Sequence, residues 1–359
     1  MSVLGLLRPD LRGFAGYASA RRAAATGSVW LNANEAPLPA SVDPGLGLNR
    51  YPEPQPATLR ARLAELYDVA TDQLMVTRGS DEGIDLLVRA LCRAGVDAVA
   101  IAPPCFGMYA VCARVQGARL VEVPLVDEDA GWRLDVDALV EAAVGQGAKL
   151  VFLCSPANPT GQALEHASVA DMADRLRGKA VVVVDEAYGE YSGVPSATSL
   201  LPGRDNLAVL RTLSKAYALA GARIGTLVAD PALVAVLRNL QAPYPVAAPS
   251  AAIAEAALTP AGQAEARARC ESAVRERDLL LRALQTLPGV RRTYASQANF
   301  LLVRFDDADL ALSRLLDAGI VARDVRAMPG LADALRISIG TPAENAAVVA
   351  ALTRTEAAA

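Results

Sequence analysis

Only three of the 35 basic residues in this 359-residue chain are lysines, Lys149, Lys179 and Lys215. A composition that uses arginine wherever a positive charge suffices singles out any lysine needed as an amine. Lys149 and Lys179 each stand at the start of an apolar run and read as surface charges. Lys215 follows an apolar run, in LSKAYALAGARIG, beside Ser214 and with Arg223 further along the same segment. A lysine desolvated at a strand end and facing another cation has a lowered pKa and can form an imine with a carbonyl. Three further segments carry concentrated polar chemistry. RGSDEG places Gly79, Ser80 and Asp81 at the start of a helical pattern, where free backbone N–H groups suit a phosphate, although Ser80 or Asp81 also suits an ordinary N-cap. CSPANPTG brackets Asn158 with two prolines that restrict the backbone around its amide. DEAYGEY ends an apolar run with Asp185 and sets Tyr188 three residues on.

The elements around these residues are those of an α/β protein. Short β-branched runs at 74–77, 99–102, 120–124, 150–153, 181–184, 208–212 and 226–228 alternate with helix-length segments, which predicts a mostly parallel sheet of seven strands. In such a sheet ligands bind beyond the carboxyl ends of the strands, where all four polar segments fall. After about residue 250 the pattern changes to a long charged helix near 264–287. Strand-like runs follow at 300–305, 320–323 and 335–339, a smaller α+β unit. The expected organisation is an N-terminal arm at 1–28, a large domain at 29–250 and a small domain at 251–359, with a frayed tail at 355–359.

Together the four segments offer a phosphate cradle, an amine, a carboxylate and two hydrogen-bond donors, which is the full requirement of pyridoxal phosphate. Lys215 would carry the cofactor as a Schiff base and Asp185 would keep its pyridine nitrogen protonated. Asn158 and Tyr188 would hold its ring oxygen, and Arg223 with Ser214 or Thr212 would neutralise its phosphate.

Other classes are disfavoured. His166 is the only histidine, which argues against a Ser-His-Asp triad and a multi-histidine metal site, and no metal is expected. The five cysteines are scattered and odd in number, unlike a disulfide framework or a zinc knuckle. The net charge of −4 gives no field that would gather nucleic acid or an anionic membrane. An apolar strand ending in Asp-Glu also suits a P-loop ATPase, but Gly178-Lys179 is followed by Ala180, not by Ser or Thr. With no signal-peptide pattern and no long apolar span, the expected location is the cytoplasm.

The spacing of SPANPTG, DEAY and SKxxxxxxxR resembles the fold-type I aminotransferases. Within them the chain is similar to the histidinol-phosphate aminotransferase family over nearly its whole length, through VWLNANEAP, NRYPEPQP, TRGSDEGIDLLVRALC, PPCFGMYAV, LRTLSKAYALAGARIG, APYPV, NFLLVRF and ALRISIGT. The resemblance implies amino transfer between L-glutamate/2-oxoglutarate and imidazole acetol phosphate/L-histidinol phosphate. It also implies further roles: Phe106 stacking on the pyridine ring, Arg336 and Arg323 binding the substrate's anionic end, and Tyr17 closing over the substrate from the arm. Tyr51 would reach the cofactor phosphate of the other subunit, so the expected assembly is a homodimer with shared active sites. The flank LRGFAGY lacks the LxPY that often precedes Tyr17's counterpart. Rival readings on the same fold are an aromatic aminotransferase, a threonine-phosphate decarboxylase and a cofactor-binding regulator.

Overall fold

The structure, a computed structural model, describes residues 2–17 and 29–353. Seven strands form its main sheet: β1 (Leu74–Thr77), β2 (Ala98–Ile101), β3 (Arg119–Glu122), β6 (Ala148–Cys154), β7 (Val181–Asp185), β8 (Leu207–Thr212) and β9 (Gly225–Val228). Between β3 and β6 the chain makes a separate hairpin of β4 (Val126–Glu128) and β5 (Gly131–Arg133). The sheet order is β1-β9-β8-β7-β6-β2-β3, and only β9 runs against its neighbours. Each of the seven expected runs is a strand of this sheet. The carboxyl ends of β1, β6, β7 and β8 consequently share one edge. Lys149 lies inside β6 and is half-buried, whereas Lys179 is exposed ahead of β7.

The central strands are apolar on both faces because helices cover both faces. Alternation along each strand divides its side chains between two cores. Val151, Leu153, Val182 and Val184 face one core with Leu63, Met172 and Leu176. Leu150, Phe152, Val181 and Val183 face the other with Ile84, Leu87, Leu91 and Leu233. The helix Ser80–Leu91 buries Ile84, Leu87, Val88 and Leu91, one turn apart, and so fixes its N-terminus at the end of β1. The start of the chain belongs to this second core as well. Val3, Leu6 and Leu7 are buried in it, and the backbone N–H groups of Val3 and Arg8 donate to Asp205 (2.8 Å) and to the Ala90 carbonyl (3.0 Å). The first part of the expected arm is thus docked on the large sheet's own layer, while residues 18–28 of that arm lie outside the described residues.

The C-terminal sheet has four antiparallel strands in the order β10-β11-β13-β12: β10 (Val290–Thr293), β11 (Phe300–Phe305), β12 (Arg323–Asp324) and β13 (Ala334–Ser338). The long helix runs from Pro260 to Gln285, and a helix Ala308–Asp317 joins β11 to β12. Two expectations change. The 320–323 run is a strand only from Arg323, and β10, which has a single apolar residue, was not expected. Ala251, Ala254, Leu258, Ala266, Cys270 and Phe300 pack into the large sheet's first core, so residue 250 is followed by an apolar cluster. Residues 355–359 of the expected tail lie outside the described residues.

Candidate active site

Beyond the shared edge of β1, β6, β7 and β8 lies a cavity of about 130 Å³. Its lining includes Ser80, Asp81, Phe106, Asn158, Asp185, Tyr188, Thr212, Ser214, Lys215 and Arg223, one or more from each polar segment singled out in the sequence. At one end the first turn of the Ser80–Leu91 helix presents backbone N–H groups that have no partner within the helix. Gly79 precedes it with φ of +73°, and a Cβ there would lie 2.4 Å from Arg223 Nη2. A Cβ on Gly225 of β9 would come within 2.5 Å of Ser80 N. Both glycines therefore keep backbone and guanidinium close around a space with the shape of an anion cradle.

Arg223 Nη2 is 3.2 Å from Asp81 Oδ2, and its Nη1 reaches the Ala220 carbonyl at 3.2 Å and Ser214 Oγ at 3.5 Å. The Asp81 carboxylate is thus a partner of the arginine. Of Asp81, only the backbone N–H suits a phosphate, since its side chain has the phosphate's own sign. Thr212 Oγ1 lies 2.8 Å from Ser214 Oγ and 3.1 Å from the Ile224 carbonyl, and it accepts from Ser214 N. This buried hydroxyl fixes the turn that carries Ser214 and Lys215.

Lys215 sits mid-cavity, its Nζ 5.7 Å from the centre of the Tyr188 ring. Burial lowers its pKa, and the positive charges of Arg336 and Arg223 add to the effect against the attraction of Asp81 and Asp185. The cause expected from sequence, desolvation beside another cation, is the one found. At the far end Asp185 is 2% exposed and accepts hydrogen bonds from Tyr109 Oη (2.8 Å) and Ala187 N (3.2 Å). Burial pushes its carboxyl up to about 6, so it is mostly ionised at neutral pH, and the Tyr109 bond opposes the rise. Asn158, 7% exposed, accepts from Arg336 Nη1 at 2.5 Å. Arg336 crosses from β13, its guanidinium 5.1 Å from the Phe300 ring centre, and its buried Nε has no partner among the described residues. The C-terminal sheet thereby delivers a cation directly to the loop after β6.

Three expected residues lie elsewhere. Tyr17 is 67% exposed, on a segment whose Gly16 lies against Asn239, and it does not line the cavity. Tyr51 is half exposed, stacked on Tyr244 at 4.4 Å, and also stays outside the lining. Arg323 is exposed in β12 directly opposite Arg336 in register, and does not reach the cavity. Sequence reading missed Tyr109 and Cys154. The only signal for Tyr109 was its place inside PPCFGMYAV, and Cys154 ends β6 opposite Asp185.

The profile of "Aminotransferase class I and II" matches residues 27–352. A histidinol-phosphate aminotransferase of Xanthomonas euvesicatoria pv. vesicatoria (strain 85-10) is 58% identical over 355 residues, 99% of this chain and 98% of the relative. The chain belongs to the histidinol-phosphate aminotransferase family.

A solved histidinol-phosphate aminotransferase from Sinorhizobium meliloti, in complex with pyridoxal-5'-phosphate, aligns with a TM-score of 0.77 and 27% identity over 85% of this chain and 82% of that chain. L-threonine-O-3-phosphate decarboxylase from Porphyromonas gingivalis shares the fold at 24% identity, with a TM-score of 0.72 over 85% of this chain and 90% of that one. The fold is therefore common to both chemistries, and the full-length identity separates the histidinol-phosphate aminotransferase family from the rival.

Proposed function

We propose that this chain is a pyridoxal-phosphate enzyme that moves an amino group between L-glutamate/2-oxoglutarate and imidazole acetol phosphate/L-histidinol phosphate. The observation that carries this is one cavity joining a helix N-terminus and an arginine, a solvent-reachable lysine of lowered pKa and a buried, ionised aspartate. These groups fit the cofactor's phosphate, carbonyl and ring nitrogen in that order. Bound there, pyridoxal phosphate supplies a carbon that can be joined to an amine and a ring that draws electrons from the substrate's amino-bearing carbon.

The residues do the rest. The first-turn N–H groups, Ser214 and Arg223 hold the phosphate, for which Arg223 exchanges part of its contact with Asp81. Asp185 keeps a proton on the ring nitrogen by remaining negatively charged beside it. Asn158 and Tyr188 donate to the ring oxygen, and Phe106 packs on the ring. Lys215 holds the cofactor at rest. With its Nζ free, Lys215 would be the base that accepts the proton from the substrate's amino-bearing carbon and returns it when the transfer is complete. Arg336 binds the anionic end, a phosphate in one substrate and a carboxylate in the other, and Arg323, opposite it in register but outside the cavity, adds positive charge from β12. Guanidinium suits both because its fork matches either group.

The site is completed, in this reading, by a second copy of the chain in a cytoplasmic homodimer, with Tyr51 reaching the partner's phosphate and Tyr17 closing over the substrate. Support comes from the exposure of Tyr51 and of Val29, Leu31, Leu38 and Val42, which form an unusually apolar segment for a surface. The division into arm 1–28, large domain 29–250 and small domain 251–359 is part of the same proposal. Rates with histidinol phosphate, phenylalanine and threonine phosphate as amino donors test the substrate. Histidinol phosphate should be used at least tenfold more efficiently than phenylalanine, and threonine phosphate should release no carbon dioxide. The reverse order would replace this reading with one of its rivals.

A further inference from the structure

Burying a carboxylate at the end of β7 has a cost that the rest of the site does not offset, because low dielectric favours the neutral acid. Among the described residues the groups near Asp185 are Cys154 on the adjacent strand, Glu186 and Tyr188 on its own segment, Asp81 and Lys215 across the cavity, and Tyr109. Only Lys215 is positive, and only Tyr109 gives Asp185 a side-chain hydrogen bond. Tyr109 is fully buried. Its ring lies parallel to Phe152 at 4.8 Å and packs perpendicular to Phe106 at 5.7 Å, and its hydroxyl reaches Asp185 at 2.8 Å with the Cys154 thiol as a second neighbour. Burial and the nearby Asp185 charge raise the phenol's own pKa well above its ordinary value, so Tyr109 is a donor at every working pH.

We propose that Tyr109 is a positioning residue of this reaction: its O–H keeps Asp185 ionised and turned toward the cofactor's ring nitrogen. The same ring buttresses Phe106, so one side chain sets both the charge at the end of the cofactor ring and the surface on which it packs. The inference rests on the cofactor reading above, but the Tyr109–Asp185 coupling exists without the cofactor and can be measured alone.

Tyr109→Phe keeps both ring contacts and removes only the donor. In the cofactor-free protein, isotope-edited infrared spectroscopy of the aspartates should show Asp185 titrating about one unit higher than in the parent, the size expected for losing a hydrogen bond to a charged group. Replacing Tyr109 with 3-fluorotyrosine, a more acidic phenol and stronger donor, should move it the other way, and this variant serves if the phenylalanine form does not fold. Loaded with pyridoxal phosphate, Tyr109→Phe should bind the cofactor about tenfold more weakly and lose kcat with KM for histidinol phosphate nearly unchanged. In an Asp185→Asn background the same substitution should change cofactor affinity no further, whereas a merely structural tyrosine would weaken both backgrounds alike. An Asp185 titration that moves with neither variant, or an equal loss in both backgrounds, overturns the proposal. A parent protein that binds no pyridoxal phosphate would instead overturn the cofactor reading, and the infrared titration would still decide the role of Tyr109.

Discussion

Lys215 stood out because arginine replaces lysine nearly everywhere else, and the cavity contains it and neither of the other two lysines. Lys215→Arg keeps the charge but cannot hold the cofactor covalently, so turnover should fall below detection while Lys149→Arg and Lys179→Arg stay within about twofold of the parent. Equal damage from all three would refute the reading of the lysines. Asp185 gives a prediction of opposite sign for stability and activity. Its acid is raised from 3.8 to about 6 in the folded cofactor-free protein, so the native state holds the extra proton and the ionised form is the costly one. That cost is absent below pH 4, grows as pH rises toward 6, and is complete above it. Asp185→Asn should therefore stabilise the cofactor-free protein at pH 7.5 by ~1–3 kcal/mol, lose that advantage at pH 4, and lower turnover by several orders of magnitude. Denaturant melts at the two pH values read this directly, and a variant less stable at pH 7.5 would contradict it. Tyr109 was not legible in this way. A tyrosine three residues after Phe106 reads as one more core aromatic, and only the packing of β2, β6 and β7 brings its hydroxyl to Asp185.

At the scale of elements, the seven strands of the main sheet were legible because central strands buried on both faces are continuous apolar runs. Strands paired at the margin leave no such mark. The hairpin of β4 and β5 and the strand β10 are three or four residues long and half charged, and β12 is two residues long, so their pairing comes from the sheet and not from their own sequence. The meeting of Arg336 with Asn158 was also invisible, since it depends on how β13 approaches the loop after β6. One close approach between elements is directly testable. A methyl group on Gly225 would fall 2.4 Å from the Gly79 carbonyl carbon and 2.5 Å from Ser80 N, pushing the N-terminus of the Ser80–Leu91 helix away from β9. Gly225→Ala should weaken cofactor binding at least about tenfold and cost ~1–3 kcal/mol of stability, as overpacking does. The control is Gly221→Ala, whose added methyl meets nothing within 4 Å. Parental cofactor affinity in Gly225→Ala would mean that the helix start does not hold the phosphate.

At the scale of the whole molecule, the described chain leaves Tyr51 stacked on Tyr244 outside its own cavity, which agrees with a role in a neighbour's site. In a two-fold dimer each chain lends the same residue to its partner. Mixing a Tyr51 variant and a Lys215 variant, each inactive alone, should then restore up to about a quarter of parental activity, because half of the randomly exchanged dimers are mixed and each has one intact site. No recovery despite subunit exchange proven with labelled chains would exclude sharing through Tyr51. The claim on which everything else depends is that Lys215 carries pyridoxal phosphate and releases it to an amino donor that bears a phosphate. Borohydride reduction of the loaded enzyme, followed by peptide mapping by mass, tests both halves at once. The account predicts the pyridoxyl label on Lys215, none on Lys149 or Lys179, and loss of that label when the enzyme is first treated with histidinol phosphate, which converts the cofactor to a form that borohydride cannot fix to the chain. A label on another lysine, or one that histidinol phosphate leaves in full, would contradict it.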